Sequence, residues 1–332
     1  MRATIREIEY WLPEQVVTNA DLAAEYPEWD VEKIANKTGI LERHVAAKDE
    51  CASDLGFEAA KKIFSSGRFS PANIDYVILC TQSPDYLLPT TACLLQERLG
   101  IPLTAGAVDI NLGCSGFIYG LGLAKGLICS DQARSVLLIT ADTYSKFINP
   151  GDRSVRTLFG DAGAATIIAA NEADSGIGDF IYGTDGRGAG NLIVAAGGLR
   201  QRHTSPACVG ECQTRSPGEL YMNGSEIFMF ALERVPGSVQ ALLQKAGKSL
   251  DDIDLFIFHQ ANRHMLGHLQ RRMKIPDSKF VYAMANCGNT VSSSIPIALK
   301  DAESSGQLRQ GHTVMLVGFG VGYSWGATLV RW

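Results

Sequence analysis

The sequence predicts an α/β protein built from two copies of one folding unit. Two observations predict it. Short apolar runs that read as buried strands alternate with runs that read as helices along all 332 residues. Several of these segments also recur in the same order. "SPANIDYVILCTQSPD" (70–85) resembles "SLDDIDLFIFHQANR" (249–263), a shift of about 179 residues. "ARSVLLITAD" (133–142) parallels "GHTVMLVGFG" (311–320), a shift of about 178. "FGDAGAATIIA" (159–169) parallels "GVGYSWGATLV" (320–330), and each copy passes through a helix to an Ile-Pro, at 101–102 and 275–276. The expected boundary puts one half at 1–172 and the other at 173–332.

The elements follow in order. The start, "MRATIREIEYWLPEQ", lacks the apolar centre of a signal peptide. "YVILC" (76–80) is a short buried strand, and "TTACLLQERLG" (90–100) is an amphipathic helix ended by Gly100. "AGAVDI" (105–110) reads as a strand. "SGFIYGLGLAKGLIC" (115–129) reads as a helix apolar on nearly every side, hence buried. "SVLLIT" and "AATIIAA" are further buried strands. Residues 171–220 are Gly-rich, with Pro206 and Pro217, and read as a long surface connection that serves as lid or wall.

Composition narrows the function classes. The chain is 46% hydrophobic and 20% charged, enough for a large core. A net charge of −5 excludes the basic excess that nucleic acid or an anionic membrane would call for. Lys125 interrupts the best membrane-helix candidate, so a cytoplasmic protein without membrane insertion is expected. Eight cysteines in a chain this long are not a disulfide framework. Cys80, Cys93 and Cys129 read as core packing. Cys208 and Cys212, with His203 before them, lack a fourth ligand and the tight paired spacing of a zinc site, so no metal is expected there.

Three residues carry candidate chemistry. Cys114, in "DINLGCSGF", precedes the buried helix, where unpaired N–H groups and the helix dipole are expected to lower its pKa. A packed core cysteine is the alternative. His259 ends the apolar strand "LFIF" in "HQAN", at the strand end where α/β sites lie, or is a satisfied buried histidine. In the first copy, Thr81 or Gln82 stands near the matching strand end. Asn289, in "NCGNTVSSS", opens a small-residue helix as a site residue or as a cap. That helix start falls opposite Cys114 in the repeat. Gly318, Gly320 and Gly322 make a turn able to aim a backbone N–H into a site, without the Lys-Ser/Thr of a phosphate loop.

Taken together, "LGCSGF", "DRSVRTLFGDAGAA", "HQAN", "GNTVSSSIP" and "GFGVGYSWGATLVRW" resemble, in order, the motifs of the β-ketoacyl-acyl carrier protein synthase III family. The resemblance covers nearly the whole chain. It implies a thiolase-like fold, two pseudo-symmetric halves in α-β-α-β-α layers, and a homodimer. It implies Cys114, His259 and Asn289 as catalytic residues, and the backbone N–H groups of Cys114 and Val321 as an oxyanion hole. An acyl thioester of coenzyme A or acyl carrier protein would acylate Cys114, and a malonyl thioester would condense with it. No metal or redox cofactor is implied. Transfer of the acyl group to oxygen or nitrogen, and a non-catalytic partner subunit, are the competing readings.

The chain departs from the family pattern near its start. In "EWDVEKIANKTGILERH", Lys33 and Lys37 stand where the family has the Trp and Arg that sandwich adenine, and Trp29 lies about one helical turn earlier. Arg153 matches another coenzyme-contacting Arg. His264 replaces the docking Arg for the carrier protein, with Arg263 beside it. Leu88, in "SPDYLLPTTACLL", falls where the family limits the partner's acyl pocket.

Overall fold

The computed structural model describes residues 2–171, 176–202 and 216–332. His203, Cys208, Cys212 and the boundary expected at 172/173 lie outside the described residues.

The chain opens with β1 (Arg2–Trp11), followed by an excursion of β2 (Gln15–Thr18), α1 (Asn19–Glu25), α2 (Val31–Thr38) and β3 (Glu42–Val45). It continues through α3 (Ala52–Ser65), β4 (Tyr76–Cys80), α4 (Thr91–Arg98), β5 (Gly106–Ile110), α5 (Gly116–Cys129), β6 (Ser135–Asp142), α6 (Arg153–Arg156) and β7 (Ala162–Asn171). The five large strands form one sheet in the order β1-β7-β6-β4-β5. β4 runs parallel to β5 and β6, and β7 runs antiparallel to β6 and β1.

The rest of the chain repeats this plan. It runs β8 (Gly176–Thr184), β9 (Leu192–Ile193), β10 (Tyr221–Met222), α7 (Gly224–Ala246), β11 (Leu255–Phe258), α8 (Arg263–Met273), α9 (Ser294–Ser304), β12 (Thr313–Gly320) and β13 (Ser324–Arg331). The second sheet has the order β11-β12-β13-β8, with β11 parallel to β12 and the other pairs antiparallel. In place of a strand matching β5 there is a single parallel bridge between Phe256 and Phe280.

One repeated motif has a visible cause. The Asp75 carboxylate accepts the backbone N–H of Arg134 at 2.7 Å and of Ser135 at 2.9 Å. Asp254 accepts that of Thr313 at 2.7 Å. Each "Ile-Asp" thus caps the start of the next parallel strand and sets its register. That register pairs Tyr76 with Val136 and Leu255 with Val314. Counting on from these pairs, the residue of the first half that matches His259 is Cys80. The sequence comparison pointed instead to Thr81 or Gln82.

Helices α5 and α9 lie between the sheets, α3 and α4 cover the outside of the first, and α7 and α8 flank the second. The α-β-α-β-α layering follows. The central core joins Phe117, Ile118 and Leu121 of α5 to Ile78 and Leu138 of one sheet and Leu316 of the other. Each such fully buried side chain contributes about 1.5–3 kcal/mol. Close packing requires small residues on α5: a Cβ at Gly120 would lie 2.6 Å from Leu138 Cδ1.

Two sequence expectations need correction. Cys80 is buried, but Cys93 and Cys129 are exposed. Cys93 lies on the outward face of α4 and Cys129 is the last residue of α5, so neither packs in the core. Residues 171–220 are not only a connection, because β8 within them forms one edge of the second sheet. Among the described residues no helix is long and apolar enough to cross a membrane.

Candidate active site

The site lies where the strand ends and helix starts of the two halves meet. Cys114 is buried, just before Ser115, the residue that precedes α5. The tight turn is closed by the Gly116 N–H donating to the Gly113 carbonyl at 2.7 Å. Its floor is the end of β12. A Cβ at Gly320 would come within 2.7 Å of Cys114 Cβ and 3.0 Å of its Sγ, and one at Gly318 within 2.8 Å of Ser115 Cα. Glycine is required here because the two backbones touch. The Ser115 and Ser324 hydroxyls, 2.6 Å apart, tie this turn to the β12–β13 hairpin.

His259 follows β11 directly, its N–H bonded to the Val317 carbonyl at 2.8 Å. Its ring meets Phe319 edge to face at 5.7 Å, which sets it beside the same β12 end. Nδ1 lies 2.7 Å from Ser294 Oγ, and Nε2 makes no hydrogen bond among the described residues. Burial pushes the imidazole pKa down to about 3, so the ring is neutral at physiological pH.

Asn289 is pinned to the first half. Its N–H donates to Leu158 O at 2.8 Å and its carbonyl accepts from Gly160 at 3.1 Å. Its Oδ1 accepts the Val291 N–H at 3.0 Å, leaving Nδ2 without a hydrogen bond among the described residues. The turn reading of Asn289 is therefore correct for its oxygen, while its amide donor stays free. Val291 packs in one apolar cluster with Cys114, Tyr144, Phe159, Leu192 and Leu220. Leu192 and Leu220 come from the stretch expected to wall the site, and they pack in the same cluster as Cys114.

The N–H groups of Cys114 and Val321 have no backbone acceptor among the described residues. Val321 follows Gly320, the residue against which Cys114 packs. The thiol itself differs from expectation. Burial, with a smaller contribution from the Asp142 carboxylate, pushes Cys114 up to about 12. The reason is positional: Cys114 precedes the helix rather than capping it and is buried, so desolvation outweighs the helix end.

Residues the sequence reading missed complete the surroundings. Asp142, at the end of β6, is fully buried and accepts the Gln82 N–H at 2.8 Å, the Ser292 N–H at 3.3 Å and the Ser292 hydroxyl. Burial raises its carboxyl to about 7 against the pull of these bonds. It crosslinks the two halves beneath the nucleophile. The available signal was a carboxylate closing the apolar run "LLITAD", matched in the repeat by a glycine.

A cavity of about 680 Å³ is lined by Lys33 and Lys37 of α2, Arg153 of α6, Phe228 of α7, and Asn262 and His264, and Cys114, His259 and Asn289 are not in its lining. Phe228 and His264 stack with centroids 5.3 Å apart. Trp29 does not line it: the indole is buried and stacks on Tyr26 at 4.4 Å. Arg263 is not in the lining either, and its guanidinium sits over Tyr282 at 5.9 Å. Leu88 is 82% exposed on the segment between β4 and α4.

Residues 108–186 match the family model of 3-oxoacyl-[acyl-carrier-protein] synthase III, and residues 243–332 match that of its C-terminal region. A beta-ketoacyl-[acyl-carrier-protein] synthase III of Clostridium perfringens is 38% identical, covering 97% of this chain and 96% of that one. The one from Caldanaerobacter subterraneus subsp. tengcongensis is 36% identical, over 97% and 95%. A crystal structure of a 3-oxoacyl-(acyl-carrier-protein) synthase III superposes with a TM-score of 0.97 at 52% identity, covering 100% of both chains. With its duplicated thiolase-like architecture and full-length similarity, this chain belongs to the β-ketoacyl-acyl carrier protein synthase III family.

Proposed function

We propose that this protein is a condensing acyltransferase that joins an acyl group to a malonyl thioester and releases a 3-oxoacyl product. One set of contacts supports the catalytic assignment. Cys114 packs on Gly320, the His259 ring on Phe319, and Asn289 is tied to Val291, which shares an apolar cluster with Cys114.

Cys114 gives up its proton as Sγ attacks the acyl thioester, and the donor leaves as a thiol that takes up a proton in its place. The N–H groups of Cys114 and Val321 hold the oxyanion. A malonyl thioester, on acyl carrier protein, then loses CO2. The electron pair left behind becomes an enolate whose oxygen takes hydrogen bonds from His259 Nε2 and Asn289 Nδ2. The enolate carbon attacks the acyl-cysteine, and Sγ leaves. The reaction as written uses no metal and no redox cofactor.

The cations lining the cavity support a phosphate-bearing donor. Lys33, Lys37 and Arg153 line it, and they suit the phosphates shared by coenzyme A and the phosphopantetheine arm of a carrier protein. The exposed Arg263 lies within reach of a docked carrier protein, and carrier-protein docking is part of this reading. A homodimer in the cytoplasm is the assembly we favour. Two features support the dimer. β5 ends the first sheet with one edge unpaired, and Tyr86, Leu87 and Leu88 are 61%, 79% and 82% exposed. Leu88 would then reach the partner's acyl pocket.

Intact-protein mass spectrometry after incubation with a panel of acyl-CoAs and acyl carrier proteins tests the first half-reaction. The expected result is an acyl adduct on the wild type that Cys114→Ala abolishes. Adding malonyl-acyl carrier protein should release CO2 and lengthen the product by two carbons. No adduct from any donor, or transfer without CO2 release, sinks the proposal.

A further inference from the structure

We infer that Ser294 is a positioning residue that fixes the tautomer of His259, keeping Nε2 protonated and ready to donate before substrate arrives. The inference rests on the condensing reading above.

The argument is an account of hydrogens around one buried hydroxyl. Ser294 and His259 are each 2% exposed. Ser294 Oγ lies 2.7 Å from His259 Nδ1 and accepts the Gln260 N–H at 3.4 Å. It has no other partner among the described residues. A serine hydroxyl has one hydrogen to give, and both contacts cannot be donors into it without stranding that hydrogen. If Nδ1 carried the proton, Oγ would receive two N–H groups and its own hydrogen would point into a packed interior with no acceptor. If Oγ–H donates to Nδ1, every group is satisfied. The ring is neutral, so its one proton then sits on Nε2.

The serine run around it shows that this placement is specific. In "TVSSSIP", Ser292 bonds Asp142, Ser293 bonds the Thr140 carbonyl at 3.0 Å, and Ser294 bonds His259. Three consecutive hydroxyls serve three different groups. Ser294 opens α9, whose next residues Ile295 and Pro296 are buried, so the hydroxyl is held on a rigid element. Nε2–H then stands with the Asn289 Nδ2–H as the donor pair for the enolate oxygen, with no proton to relocate.

The test uses the full-length protein labelled with ¹⁵N-histidine, the His259 signals being assigned by their loss in His259→Gln. The expected spectrum shows Nε2 protonated and Nδ1 bare, and in Ser294→Ala the two tautomers mix. Decarboxylation of malonyl-CoA by Ser294→Ala should fall roughly 10- to 100-fold, less than the loss of a donor outright. Acylation of Cys114 should keep its wild-type rate, and Ser294→Thr should restore both the spectrum and most of the decarboxylation. A wild-type spectrum with Nδ1 protonated overturns the inference whatever the variants do. So does wild-type decarboxylation in Ser294→Ala when His259→Ala has lost it. If His259→Ala also decarboxylates normally, the condensing reading itself fails.

Discussion

At Cys114 two effects compete, and their difference is measurable. A helix end favours thiolate, while enclosure favours thiol, and the thiol is pushed up to about 12. Below that value the thiolate fraction rises tenfold for each pH unit. Alkylation of Cys114 by iodoacetamide should therefore climb about tenfold per unit from pH 6 to 9 without a plateau. A plateau near neutrality would mean that the helix end wins. His259, pushed down to about 3, should add no bend of its own in that range. Residue types and motifs singled out Cys114, His259 and Asn289 as candidates in the sequence. Asp142 and Ser294 were not, because their roles depend on which group each hydroxyl or carboxylate faces. No spacing rule connects Asp142 to Ser292 across 150 residues.

Among the elements, the end of β12 has the tightest tolerance. Its glycines let the strand lie against the nucleophile turn, so a methyl at 320 must displace either Cys114 or the hairpin. Gly320→Ala should fold at a cost of about 1–3 kcal/mol from overpacking. It should also slow acyl-adduct formation about 100-fold, because a small misplacement of the attacking atom is costly. A near-wild-type adduct rate would show that the turn has slack. The buried strands and α5 were readable because covered elements are apolar along their whole length. β8 was not: "GIGDFIYGT" has three glycines and a half-exposed face, so it lacks the unbroken apolar run that identified its neighbours. The cysteines at 93 and 129 were misjudged for a related reason. Apolar neighbours in sequence do not say which way one side chain on a helix faces.

For the whole molecule, the duplication was legible from segments recurring in the same order at one offset, and the layering follows once both sheets share the same two central helices. The assembly can be tested at the β5 edge, where Val108 is 36% exposed. Light scattering should find the wild type at twice its chain mass and Val108→Lys at the single-chain mass, with loss of most condensing activity. A monomeric wild type would refute the dimer.

The single Phe256–Phe280 bridge has a further consequence for assembly. Two faithful copies of one unit would each present the same open strand, making every chain a link with two hooks. Such links join end to end without stopping. Here the second copy has only that bridge in place of a β5 strand, so the pairing proposed through β5 has one such strand per chain among the described residues. A monovalent unit that pairs with itself has used its only bond, so growth stops at two. Under the dimer proposed above, the want of a second such strand is what would separate a closed pair from a filament.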